Sequence, residues 1–128
     1  MRKLIFLFVM ALLVSGCTTT DTLDNFRKGN RHKLYQLKIG MTKDEAVNLM
    51  GTNAAFDSEF GIDPITVNNP YRYEILQGKD KVLEILYYYT ALKAREGTFT
   101  DDELTPLVFD NGKLIGWGNR FLRNNIQK

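Results

Sequence analysis

The sequence predicts an α+β domain: two N-terminal helices packed on one face of a three- to four-stranded antiparallel sheet. Three observations carry that expectation. Helix-compatible segments come first, between Leu23 and Met50. β-branched and aromatic runs fill the second half, from Tyr71 to Gly118, and turn-forming residues of hairpin length separate those runs. Helices followed by strands in local hairpins make an α+β layer. At 128 residues the chain has room for one domain. Its 44% apolar and 25% charged side chains are those of a globular protein.

The first 17 residues, MRKLIFLFVMALLVSGC, read as an address. Arg2 and Lys3 precede an uninterrupted apolar run of 11 residues, Leu4 to Val14. A spanning helix needs about 20 apolar residues, so this run fits the central region of a signal peptide. Val14-Ser15-Gly16-Cys17 is similar to the bacterial lipobox. That resemblance implies cleavage before Cys17, a diacylglyceryl group on its thiol and a further acyl chain on the freed amine. An ordinary secretory signal would leave Cys17 incidental; the cysteine at the cut favours the lipoprotein. Several acyl chains, at roughly 0.8 kcal/mol per buried CH₂, make a stable membrane anchor. Thr18 follows the cysteine in place of Asp, which resembles default sorting to the outer membrane, facing the periplasm. The expected division is a lipoprotein signal peptide over 1–16, a lipidated tether over 17–30 and a single α+β domain over 31–128. Removal of residues 1–16 leaves 112, with 15 basic and 15 acidic side chains. A balanced chain has no global field to attract nucleic acid.

Leu23, Phe26, Leu34 and Leu37 recur at broadly helical spacing, interrupted at Gly29-Asn30, so the first helix is expected most firmly over Arg31–Leu37. Thr42-Lys43-Asp44-Glu45 has the spacing of a capping box, and Gly51 suits a helix end, which places a second helix over Lys43–Met50. Tyr71–Leu76 and Val82–Thr90 flank the turn Gln77-Gly78-Lys79-Asp80. Pro106–Asp110 and Lys113–Gly118 flank Asn111-Gly112, the strongest two-residue hairpin signal. That turn would pair Phe109 with Leu114, Val108 with Ile115 and Asp110 with Lys113. Between the hairpins, Thr100-Asp101-Asp102-Glu103 fits one capped turn before Pro106.

Leu37-Lys38-Ile39-Gly40-Met41-Thr42, followed by Leu49-Met50-Gly51-Thr52, resembles the opening motif of the SmpA/OmlA-type small outer-membrane lipoproteins. These include the accessory lipoprotein of the β-barrel assembly machinery. Tyr87-Tyr88-Tyr89, Thr105 to Phe109 and Gly112 to Gly118 are more similar to a sister family of uncharacterised proteobacterial lipoproteins. The resemblance implies two helices on an antiparallel sheet and a role in envelope assembly or maintenance.

Few residues suit catalysis. His32, the only imidazole, stands in a basic stretch without a Ser-plus-Asp arrangement. Asp57, Glu59 and Asp63 alternate like calcium ligands, but Ile62 and Asn68 stand where such a loop needs Gly and Glu. No cofactor or metal site is expected, and no enzyme. Arg27, Lys28, Arg31 and Lys33 lie close beyond Cys17 and are candidate contacts to lipid head groups, each worth about 1 kcal/mol near an anionic surface; a solvated helix face is the simpler reading of them. On the period-2 rule Leu83, Ile85, Tyr87 and Tyr89 share a face, as do Tyr71, Tyr73 and Ile75, and the hairpin register adds Leu107, Phe109 and Leu114 to a like face as the expected core. The other side carries Arg72, Glu74, Glu84, Asp110 and Lys113 and is expected to face solvent. It also holds Leu86, Tyr88, Val108, Ile115 and Trp117, a candidate patch for an envelope protein partner, although scattered exposed apolar residues would look the same. Binding to lipid or peptidoglycan is the alternative to a protein partner.

Metabolic labelling with palmitate should mark the protein, and Cys17→Ser should abolish both the label and retention in membranes. A soluble, unlabelled wild type would refute the anchor.

Overall fold

The computed structural model describes residues 22–57, 64–93 and 99–126. In chain order the elements are α1 (Leu23–Leu34), α2 (Lys43–Met50), β1 (Ala54–Asp57), β2 (Ile65–Asn68), β3 (Arg72–Gln77), β4 (Val82–Tyr89), β5 (Leu104–Asp110), β6 (Lys113–Trp117) and α3 (Asn119–Asn125), with a 3₁₀ turn over Asp101–Glu103. Strands β3-β4-β5-β6 form an antiparallel meander; β1 and β2 pair as a separate antiparallel hairpin. The α+β class and the four-stranded sheet agree with the sequence reading.

The placement of the helices does not. Along β4, Leu83, Ile85, Tyr87 and Tyr89 pack with Phe26 of α1, Ala55 and Val67 of the β1–β2 hairpin and Leu122 of α3. The alternate residues Leu86 and Tyr88 pack with Ala46 and Met50 of α2, and with Leu37. Alternate residues of a strand point to opposite faces, so α1 and α2 cover opposite sides of the sheet. Both faces of β4 and β5 are core. The expected single-faced core therefore misplaces Leu107, Phe109 and Leu114: Leu86 pairs with Leu107, and Phe109 pairs with Glu84 and Leu114, all on the α2 side.

α1 starts at Leu23, inside the segment expected as tether, and runs through Gly29-Asn30 without a break. Asparagine usually opposes a helix because its amide competes for local backbone. Here the amide is engaged elsewhere. Asn30 Nδ2 donates to Asn69 Oδ1 and to the Tyr89 carbonyl, each at 2.9 Å, and Asn69 Nδ2 donates back to Asn30 Oδ1 at 2.7 Å. Both residues are buried. This reciprocal pair joins α1, the exit of β4 and the end of the β1–β2 hairpin. Next to it, Arg31 Nε donates to the Thr90 carbonyl at 3.1 Å.

α2 has its predicted start. The Thr42 hydroxyl accepts from the Glu45 amide at 3.1 Å, and the Glu45 carboxylate accepts from the Thr42 amide at 2.7 Å. These bonds hold the Glu45 carboxyl below the usual carboxylate range. Its last turn contains no basic residue, and Lys33 of α1 supplies the cation, donating from Nζ to the Met50 carbonyl at 2.9 Å.

The Asn111-Gly112 turn closes the β5–β6 hairpin with φ of +50° and +75°, the left-handed pair that a tight two-residue turn needs. Asp110↔Lys113 and Phe109↔Leu114 pair as expected, but Val108 then pairs with Gly116. Ile115 is the extra residue of a β-bulge. At Gly116 an added Cβ would lie 2.5 Å from the Phe121 ring, so the glycine is what lets α3 lay that ring on the sheet. The 3₁₀ turn forms where the sequence placed it, around a buried carboxylate. Glu103 accepts from the amides of Thr100 at 2.9 Å and Lys93 at 3.0 Å, while its own carbonyl takes the amides of Thr90 and Ala91.

Asn30→Ala should cost about 3 kcal/mol, since it leaves the Asn69 amide oxygen buried without its donor and removes the bond to the Tyr89 carbonyl. Chemical denaturation reads this directly. A loss under about 1 kcal/mol would mean that the pair does not hold α1 to the sheet.

Candidate functional site

The patch expected on one solvent face, Leu86, Tyr88, Val108, Ile115 and Trp117, is neither exposed nor one-sided. Leu86, Tyr88 and Val108 are buried. Leu86, Tyr88 and Trp117 belong to the α2 side, whereas Val108 and Ile115 belong to the α1 side. The bulge explains Trp117: one extra residue at Ile115 moves every later side chain of β6 to the other face, and Trp117 comes to pair with Leu107. Tyr88, like Val108, is fully buried. Among the described residues its hydroxyl has no hydrogen-bond partner, and burial pushes its pKa up to about 12.

Apolar side chains that do face solvent include Tyr35, Ile39 and Phe56 away from the four-stranded sheet, and on that sheet a group one strand over. α2 covers the sheet from β4 to β6 and stops short of β3. Tyr73 and Ile75 of β3 and Val82 of β4 remain 47%, 60% and 57% exposed. They share a face: Ile75 pairs with Glu84, Tyr73 with Leu86, and Gln77 with Val82. A fixed polar centre borders them. Lys43, the first residue of α2, places Nζ 2.5 Å from Glu84 Oε2, and the Tyr73 hydroxyl donates to the same oxygen at 3.0 Å. The Lys43 ammonium also stands 5.3 Å from the centre of the Tyr73 ring. The Lys43 and Tyr73 hydrogen bonds lower the Glu84 pKa, and the carboxylate in turn raises those of Lys43 and Tyr73. An aromatic ring, two aliphatic side chains and an already-formed ion pair offer a partner apolar contact without an unpaired charge to bury. Sequence reasoning placed Tyr73 and Ile75 in the core. The signal that separates them from it is the alternation of charged Arg72 and Glu74 along β3, against the unbroken apolar run Ile85–Tyr89 of β4.

The basic residues of α1 are brought onto one helix, but each is engaged within the chain. Lys28 pairs with Asp24 at 2.7 Å and Arg27 pairs with it too; Lys28 first, then Arg27, hold that carboxyl down to about 2. Arg31 and Lys33 serve the Thr90 and Met50 carbonyls. His32 is exposed. Asp57 ends β1, while Glu59, Asp63 and Cys17 lie outside the described residues. Among the described residues no three His, Cys, Asp or Glu side chains group as metal ligands, and no helix is long and apolar enough to cross a membrane.

A meander sheet covered on both faces, with one bare apolar strip beside its β3 edge, defines a small α+β domain whose distinctive surface is a stretch of sheet. The chain belongs to the family described as protein of unknown function DUF3192, whose model matches residues 9–124. No curated protein and no solved structure matches it.

Tyr88→Phe should leave the fold intact and raise its stability by about 1 kcal/mol, because it removes a buried hydroxyl without a partner. A loss of more than about 1 kcal/mol in the same denaturation measurement would show that the hydroxyl is bonded in solution.

Proposed function

We propose that this chain is an outer-membrane lipoprotein, anchored through Cys17 and facing the periplasm, whose domain binds another envelope protein and performs no catalysis of its own. The observation that carries the binding role is the bare strip of Tyr73, Ile75 and Val82 beside the Lys43–Glu84 pair. Elsewhere the sheet is covered on both faces, and this strip keeps an aromatic and two aliphatic side chains in solvent. Aromatic residues in such settings are frequent interface anchors. The address at residues 1–17 and the resemblance of Leu37–Thr52 to the SmpA/OmlA-type lipoproteins support the same location and the same kind of role in envelope assembly or maintenance. Direct binding to lipid or peptidoglycan through Arg27, Lys28, Arg31 and Lys33 draws no comparable support, because each of those cations already serves an acceptor in the fold.

A photo-crosslinking side chain at Ile75, activated in intact cells, should join this protein to a different envelope protein. Tyr73→Ser with Val82→Ser should remove that adduct while changing stability by no more than about 1 kcal/mol, as exposed substitutions do. Adducts to lipid alone, or protein adducts untouched by the double variant, would overturn the proposal.

A further inference from the structure

The two outer strands of the sheet are treated differently. β6 is closed by the segment leading into α2: the Gly40 amide donates to the Leu114 carbonyl at 2.8 Å, Leu114 donates to Met41 at 2.8 Å, Lys43 donates to Gly112 at 3.0 Å, and Thr42 bridges Lys113. Among the described residues β3 has no such cover along Arg72–Leu76, and its far end alone is met, where Ile126 bridges Gly78. At that end the Gly78 amide donates inward to Lys81. Antiparallel ladders alternate, so the amides and carbonyls of Tyr73 and Ile75 point outward, away from β4. An open edge of this kind is a template for another strand, and native proteins usually blunt it with lysine, proline or a bulge. From Arg72 to Gln77 there is neither lysine nor proline, and β3 pairs with β4 without a shift in register.

We propose that β3 pairs edge to edge with β3 of a second copy of this chain, about a two-fold axis at Tyr73, to make one continuous eight-stranded sheet. The charges on the strand select this partner and this register. With Tyr73 opposite Tyr73 of the second copy, Arg72 falls opposite Glu74 of that copy, and Glu74 opposite its Arg72. Each is a non-hydrogen-bonded pair, the kind that brings side chains closest. A shift by one residue in each copy sets Glu74 against Glu74. The next shift sets Arg72 against Gly78, where Ile126 already sits. The charged side chains are held ready on one face: the Arg72 guanidinium lies 4.1 Å from the centre of the Tyr87 ring and pairs with Glu74 at 2.9 Å and Asp101 at 2.8 Å, and the Tyr87 hydroxyl donates to Glu74 at 3.0 Å. On the other face Tyr73 of one copy meets Tyr73 of the other, with Ile75 of each copy flanking the pair, so the two bare strips become one. This inference does not rest on the proposed protein partner, because it concerns the strand's edge and the same chain.

The test is disulfide trapping in the full chain, with the wild type, whose only cysteine is Cys17, as background. In the proposed register Tyr73→Cys lies about 5.5 Å, Cα to Cα, from its own equivalent. Ile75→Cys lies roughly 14 Å from its equivalent, four residues along a strand. Mild oxidation should give a covalent dimer with Tyr73→Cys and only background with Ile75→Cys or with Val82→Cys, an exposed position away from the axis. Arg72→Glu or Glu74→Arg, added singly to Tyr73→Cys, should abolish the dimer, and both together should restore it. A Tyr73→Cys yield no higher than that of Val82→Cys, or a higher yield from Ile75→Cys, would overturn the proposal. So would a dimer indifferent to the single charge reversals. Should a reversal prevent folding, the comparison of the three cysteine positions still decides.

Discussion

Two-sided burial of β4 is the constraint on which the rest of this structure depends. From Leu83 to Tyr89 every residue but Glu84 is buried, so the strand needs an apolar cover on each face. A single layer of helices cannot supply that. The chain divides its elements: α1, the β1–β2 hairpin and α3 go to one side, and α2 with Leu37 goes to the other. Crossing from one side to the other brings polar groups inside, and they are matched in pairs. Asn30 and Asn69 satisfy each other's amides, and the Glu103 carboxylate is surrounded by backbone donors. A buried polar group without such a partner would oppose folding by about 1–3 kcal/mol. The Tyr88 hydroxyl is a case left unmatched.

Much of the fold was legible because its local signals are chemical. Thr42 and Glu45 can satisfy each other's orphan groups only at the spacing they have, and Asn111-Gly112 accepts the positive φ that few other pairs tolerate. Other parts were misread for identifiable reasons. Glu84, Asp110 and Lys113 suggested a solvent face, yet they lie towards the strand ends, where Lys43 reaches Glu84 and Lys81 reaches Asp110 at 2.7 Å. Charges at a strand's end say little about its middle, and the unbroken run Ile85 to Tyr89 was the better guide. The bulge at Ile115 has no such local mark. It depends on Phe121 seeking the space above Gly116, a contact made only in the folded chain. The β1 and β2 strands are four residues each, too short for periodicity to reveal.

The site followed the same logic. With both faces of β4 and β5 covered, Leu86, Tyr88 and Val108, expected to meet a partner, became core, and three residues expected in the core, Tyr71, Tyr73 and Ile75, became surface. The cations of α1 changed meaning as well. Read from sequence they are free charges near an anchor; in the fold, Arg31 donates to the Thr90 carbonyl just past β4, Lys33 donates to the last carbonyl of α2, and Arg27 and Lys28 neutralise Asp24.

The bond from Lys33 to the Met50 carbonyl also fixes how α2 opens. An eight-residue helix is marginal on its own, since helix nucleation is unfavourable and few bonds repay it. Its C-terminal carbonyl depends on a side chain from α1, and α1 is itself held through Asn30 to the hairpin and β4. In the language of amide exchange, α2 is then no independent fraying segment. Its protection is lost together with that of α1 and the β1–β2 hairpin, as one cooperative unit spanning both faces of the sheet.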